Sequence, residues 1–253
     1  SFSVFIIVFY MYNGSYAGAG TWPAWFATIS AVLTAFMVIP IITRIANKWG
    51  KKNAFIIASF ISIVGYLLKW WGFDTGLNDS FNKTTVAQSM SNGLQSLFTF
   101  IGPTLEQLNM SWFTVDTSNG VPWLIFLPIP MLAFGLGSLF TLMMSMTADV
   151  CDLDELENGM PRKEGTFGAI YWWMVKLGQG LALVISGLVL KLIGFDGGAA
   201  TQTAETMHSL RLADIIIPSL TAGIAILVMW KYNLSEKRAR EIKDELVARR
   251  GEI

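Results

Sequence analysis

Six stretches along the chain are apolar for close to 20 residues with almost no charge: 1–19, 23–42, 54–71, 122–147, 166–195 and 213–230. That is the length that crosses a hydrocarbon core of about 30 Å at 1.5 Å per residue. None alternates with a period of two, so a barrel is excluded. Each run satisfies its backbone in lipid only as a helix. The pattern predicts an all-α membrane bundle of six spans, the first entered part-way along its length.

The polar segments between the runs divide the chain. Residues 1–72 hold three spans and a basic loop at 43–53. Residues 73–121 form a long polar insert. Residues 122–230 hold three more spans and an acidic loop at 148–165, and 231–253 form a charged tail. Thirteen of the 18 Lys and Arg fall on one side, in the loop with Arg44, Lys48, Lys51 and Lys52, beside Arg162 and Lys163, and in the tail. The other side has Lys69, Lys83, Lys191 and Arg211. Positive residues favour the cytoplasm, so the sparse side is the outer one and the C-terminus lies inside. Trp22, Trp25, Trp70, Trp71, Trp123 and Trp230 fall at span ends, as interface anchors do. Within the insert, "LQSLFTFIGPTLEQL" is too short to span and is broken by Pro103. It reads as an amphipathic cap on the membrane surface, with a lid over a substrate path as the alternative.

Composition narrows the class. Hydrophobic residues make up 53% and charged residues 14%, with a mean hydropathy of +0.50 and zero formal net charge. Nothing basic or interleaved with aromatics points to nucleic acid. The single Cys151 excludes a disulfide within the chain. HExxH, GxxxxGK[ST] and GxSxG are absent, and Leu156 stands where a calcium loop needs its third ligand. No catalytic or metal-ligating set is expected. His208, the one histidine, reads as a surface residue of an outer loop.

Lys176 is the chemical anomaly. It lies 12 residues past Glu164 in the fifth run, about 18 Å into the membrane and too deep to reach the interface easily. An ionisable group there costs about 2.5–3.5 kcal/mol on insertion scales, so it faces the bundle interior or a water-filled cavity. Trp172, Trp173 and Gln179 share its stripe at i−4, i−3 and i+3. Indoles meet the C–H faces of a sugar ring, while an ammonium and an amide meet its hydroxyls. A carboxylate on another helix is the alternative partner, and none is evident within the runs. Lys69 and Lys191 are expected to snorkel to the interface. Asn13 with Tyr10, Tyr12 and Tyr16 forms either a polar patch or packing through Gly14, Gly18 and Gly20. Asp149, Asp152 and Glu155 recur every third residue and share one face at the inner end of the fourth run, with Asp154 and Glu157 off it. They can pair with Arg162, Lys163 or the 43–53 loop, and such pairs hold one conformation of a rocking transporter. The tail reads as a solvated helix with i,i+4 pairs Lys237–Glu241 and Arg240–Asp244.

Together, "ADVCDLDELENGMPRKEG" and "YWWMVKLGQG" resemble the glycoside–pentoside–hexuronide:cation symporters of the major facilitator superfamily. That family carries Asp-x-x-Asp-x-x-Glu at the inner end of its tenth helix, then a basic residue, a Glu and an eleventh-helix lysine. Those positions fall on Asp149, Asp152, Glu155, Arg162, Glu164 and Lys176. "PIITRIANKWGKKNAF" resembles its loop between helices eight and nine. The resemblance implies helices seven to twelve of a sugar symporter in a bacterial inner membrane, driven by Na⁺ or H⁺ through alternating access. It places Lys176 at the sugar and cation site, with Trp172 and Val175 lining the sugar pocket. The cation carboxylates and most sugar contacts of that family lie on an N-terminal six-helix half, which becomes the implied partner. A carrier of lysolipid-like amphiphiles and a non-transporting scaffold are the other readings.

Overall fold

The computed structural model describes residues 2–108, 114, 120–159 and 162–251. Among these, every regular element is helical. A turn of α1 (Ser3–Phe5) runs on as a π-helical stretch, Ile6–Met11. After α2 (Tyr16–Ala19), α3 (Trp22–Leu33) passes through a π-helical stretch, Thr34–Val38, into α4 (Ile39–Trp49). Then come α5 (Lys51–Gly72), α6 (Thr75–Asn82) and α7 (Thr85–Gln107). A 3₁₀ turn, Trp123–Phe126, leads into α8 (Ile129–Asn158), followed by α9 (Glu164–Leu192), α10 (Ala204–Trp230) and α11 (Glu236–Arg250).

Five helical stretches, not six, are long and apolar enough to cross a membrane among the described residues: Tyr16–Trp49, Lys51–Gly72, Trp123–Asn158, Glu164–Leu192 and Ala204–Trp230. The expected first span fails at its Asn-Gly pair. Asn13 takes φ 49° and Gly14 φ 82°, and the helical stretch ends before them at Met11. A Cβ on Gly14 would lie 1.8 Å from the Ala200 carbonyl oxygen, so only glycine fits.

Other boundaries move as well. The basic loop collapses to a single residue, Gly50 at φ 83°, because helix continues on both sides of it. The acidic loop is helix as far as Asn158, so its carboxylates from Asp149 to Glu157 stand on the end of α8, and Glu164 begins α9. Part of the expected 73–121 loop lies outside the described residues. The rest is α6 and α7, capped by the side chains of Asp74 and Thr84. Pro103 does not break α7. It removes one backbone bond to the exposed Thr99, where solvent or headgroups can satisfy the freed carbonyl. His208 is exposed, as expected, but stands on α10 with its ring edge-on to Trp70 at 5.5 Å.

The interior has two main parts. One packs Ile6, Ile7 and Phe9 with Trp22, Phe73, Ile125 and Leu210 at the end of the bundle near Gly72. Trp22, expected at an interface, is thus buried. The other packs Val38 and Ile42 with Ala58, Ala133, Leu142 and Met229. Between them α5 and α8 cross closely through small residues, the usual solution where helices cannot rely on hydrophobic drive. A Cβ on Gly135 would fall 2.3 Å from the Cβ of Ser62. Gly135→Ala is therefore expected to push α5 from α8 and lower stability by about 1–3 kcal/mol, read as a lower melting temperature in detergent.

The tail is more than a solvated helix. Ser235 caps α11, and Ala239, Ile242 and Leu246 face inward, the last two packing on Leu156 of α8. Arg249 donates to the Leu156 carbonyl. Lys237–Glu241 forms at 3.9 Å, but Arg240 pairs backward with Glu236 at 3.4 Å rather than forward with Asp244.

Candidate functional site

α9 differs from every other spanning helix: none of its side chains is buried. It touches α8 along part of its length, and Val189 and Leu190 pack on the Ile6–Phe9 core near its end. The remainder faces away from the chain, with Trp172 49%, Trp173 62%, Leu183 76% and Leu192 84% exposed. A helix that is apolar all round is normally covered by protein or lipid. Lys176 and Gln179 lie in this open face and Val175 is half-buried beside them. Lys176 makes no ion pair or hydrogen bond within the described residues. The Tyr171 and Trp172 rings meet edge-on, with centroids 5.4 Å apart. The five residues of the predicted pocket therefore share one helix, and no second helix among the described residues closes over them.

The predicted inner network separates into two. Arg162 reaches Asp152 at 2.7 Å and Glu155 at 3.5 Å on α8, and Glu164 at 2.5 Å at the start of α9. Burial lowers the pKa of this guanidinium, but Asp152 and Glu164 outweigh it and carry the pKa above its ordinary value. One cation thus ties the end of α8 to the beginning of the Lys176 helix. Asp149 belongs elsewhere: Lys51 of α5 holds it at 2.5 Å and Lys243 of α11 stands 3.8 Å away. Next to it, Lys52 donates to the carbonyls of Trp230 and Tyr232, at 2.7 and 2.8 Å, and so closes the end of α10. Burial first, then the charges of Asp149 and Glu236, push the Tyr232 phenol up to about 12. A polar cleft of about 750 Å³ opens beside these groups between Lys48, Asp149 and Arg240. Lys163 pairs with Asp154 at 3.0 Å on the exposed side.

A third cluster escaped the sequence reading. Lys69, expected to snorkel, is buried and pairs with Asp214 of α10, which is buried too. Lys69 also donates to the Ser3 hydroxyl at 2.9 Å. A carboxylate within the spans therefore exists, and it serves Lys69 rather than Lys176. One turn before Asp214, Arg211 lies between the rings of Tyr10 and Trp70, 4.5 and 4.4 Å from their centroids. It donates to the Tyr10 hydroxyl and the Trp70 carbonyl, with Asp74 at 3.7 Å. The polar reading of Tyr10 is thus met by Arg211. The sequence did hold a signal: Asp214 is an acid inside an apolar run, and Lys69 is a base inside another.

The family described as MFS/sugar transport protein matches residues 1–236. Among relatives, an isoprimeverose transporter of Lactiplantibacillus pentosus is 20% identical over 86% of this chain and 37% of its own length. A glucuronide carrier protein homolog of Escherichia coli is 23% identical over 82% of this chain and 35% of its own length. A sodium-dependent lysophosphatidylcholine symporter of Danio rerio is 29% identical over 40% of this chain and 19% of its own length. The chain thus spans little more than a third of the length of the first two. No solved structure matches it. These relatives are transporters and not enzymes, and the long apolar helices make this a multi-pass integral membrane protein. The chain belongs to the MFS/sugar transport protein family.

Proposed function

We propose that this chain is the C-terminal half of a secondary transporter that carries a sugar or glycoside with Na⁺ or H⁺ by alternating access. The observation that carries the reading is the open face of α9, where Lys176 stands among Trp172, Trp173, Val175 and Gln179 without a partner in the described residues. Half of a binding site built between two repeats has this form. The relatives named as isoprimeverose and glucuronide carriers support a glycosidic substrate. In this reading an N-terminal six-helix half covers α9 and supplies the acids that hold the coupling cation, and lipid covers the rest. The end bearing Lys51, Arg162 and α11 is cytoplasmic, and the membrane is a bacterial inner membrane. The test is uptake across a panel of glycosides when this chain is expressed with that half.

In the same reading the Arg162 knot holds one orientation of the transporter. Arg162→Gln is expected to lower uptake about 5–150-fold, the range of a 1–3 kcal/mol coupling, while glycoside binding changes far less. Equilibrium binding and initial uptake rates, measured side by side, check this. The relative named for lysophosphatidylcholine favours a second reading, an amphiphile carrier. Competition between a lysolipid and a glycoside for the same uptake separates the two.

A further inference from the structure

We propose that α7 and the adjoining end of α3 form a binding site for the hydrocarbon chain of a membrane lipid, distinct from the face that bears Lys176. Met90, Leu94 and Phe98 recur at i, i+4 and i+8 and put one apolar stripe on α7. That stripe faces Trp22, Trp25 and Ile29 of α3 across a cavity of about 440 Å³, closed at the back by the turn Trp123–Phe126. This is within the roughly 300–1,000 Å³ typical of small-molecule sites. No charged side chain lines it. The one polar atom of Trp123 is already used, since its Nε1–H donates to Ser91 Oγ at 3.1 Å. Trp25 meets Phe98 edge-on with centroids 6.2 Å apart, so the two walls are in contact there. Asn92, Gln95, Ser96 and Thr99 occupy the other face of α7. The helix is therefore amphipathic, with its polar side turned from the cavity.

What fills the cavity follows from its place. Its walls are the ends of α3 and of the stretch leading into α8, both membrane-crossing. It lies near the starts of both stretches, the positions at which aromatic residues mark a membrane boundary. A neutral, aromatic-walled slot at that depth meets lipid chains at high local concentration, and burying them there returns about 25 cal/mol per Å². A water-soluble ligand would leave its hydroxyls unpaired against this lining. The proposal does not depend on transport, since neither α9 nor the inner charge networks contribute a wall.

The test is photolabelling of the purified chain in phosphatidylcholine vesicles that contain a trace of phosphatidylcholine with a diazirine on its acyl chain. Adducts should concentrate on peptides carrying Met90–Phe98 and Trp22–Ile29. Leu94→Trp fills the slot and should cut the yield on those peptides about tenfold, as expected for a loss of about 50 Å² of apolar contact. Labelling of the open α9 face at Leu183 should not change. Ile29→Trp fills the slot from the opposite wall and should do the same, which covers the case in which the first variant does not fold. Yields at the slot no higher than on α9, or unchanged by both variants, would overturn the proposal. So would suppression of the labelling by a soluble aryl glycoside, which would make the slot an aglycone site.

Discussion

Lys176→Ala, in a transporter reassembled from this chain and its N-terminal half, is expected to abolish cation-driven glycoside uptake. An ammonium held about 18 Å into the membrane costs about 2.5–3.5 kcal/mol unless something compensates it, and no group of this chain does among the described residues. If the proposed N-terminal half and the substrate supply that compensation, the lysine contributes to both binding and coupling. Removing one member of such a desolvated charged contact costs about 2–5 kcal/mol, so uptake should fall at least about 30-fold. Lys176→Arg keeps the charge but changes a point donor into a planar fork, and partial activity is the expected result. Equilibrium glycoside binding with and without the cation separates a lost sugar contact from lost coupling. The isolated chain should be no less stable for Lys176→Ala, because none of the described residues pairs with that side chain; an unchanged melting temperature checks this.

The opposite profile is expected at Lys69 and Asp214. Here two opposite charges are buried together, bridging α5 and α10, with the Ser3 hydroxyl joining from α1. Lys69→Ala or Asp214→Ala leaves one charge alone in an apolar surround and should cost about 3–5 kcal/mol, read as a large fall in melting temperature. The paired change Lys69→Met with Asp214→Leu removes both charges and fills similar volume. It should restore most of that loss, since apolar replacement of a buried pair is often neutral or stabilising. A double variant as unstable as the singles would mean that the pair does more than satisfy itself. Arg211 lies a turn away with its own partners, so it should retain its place between Tyr10 and Trp70 in the double variant.

Much of the fold was legible in the hydrophobic runs, because lipid imposes the same constraint on every span. The runs at 54–71, 122–147 and 166–195 each lie within, or end close to the bounds of, one observed helix. The failures were local or tertiary. Asn13-Gly14 is a turn signal, but apolar residues on both sides masked it. The loops at 43–53 and 148–165 carry helix formers, and helices extend into water once charges project from their ends, as the exposed Lys48 and Glu157 do. The inner network was half legible: spacing put Asp149, Asp152 and Glu155 on one face, but only packing decides that Asp149 turns to α5 and α11 while the others turn to Arg162. Lys69 and Asp214 lie on different runs, and no periodicity along either run joins them. A lone base near a span end reads as a snorkelling residue, and only an acid on the facing helix makes it a buried pair.

The proposed site is visible in the sequence as a stripe, Trp172, Trp173, Lys176 and Gln179, and the fold adds that this stripe has no cover among the described residues. The most direct measurement of the central claim is glycoside accumulation in proteoliposomes that hold this chain with its N-terminal half, under an imposed Na⁺ or proton gradient. The account predicts accumulation that collapses when the gradient is dissipated, that disappears with Lys176→Ala, and that neither half gives alone. Accumulation unaffected by Lys176→Ala, or by this chain without its partner, would contradict it.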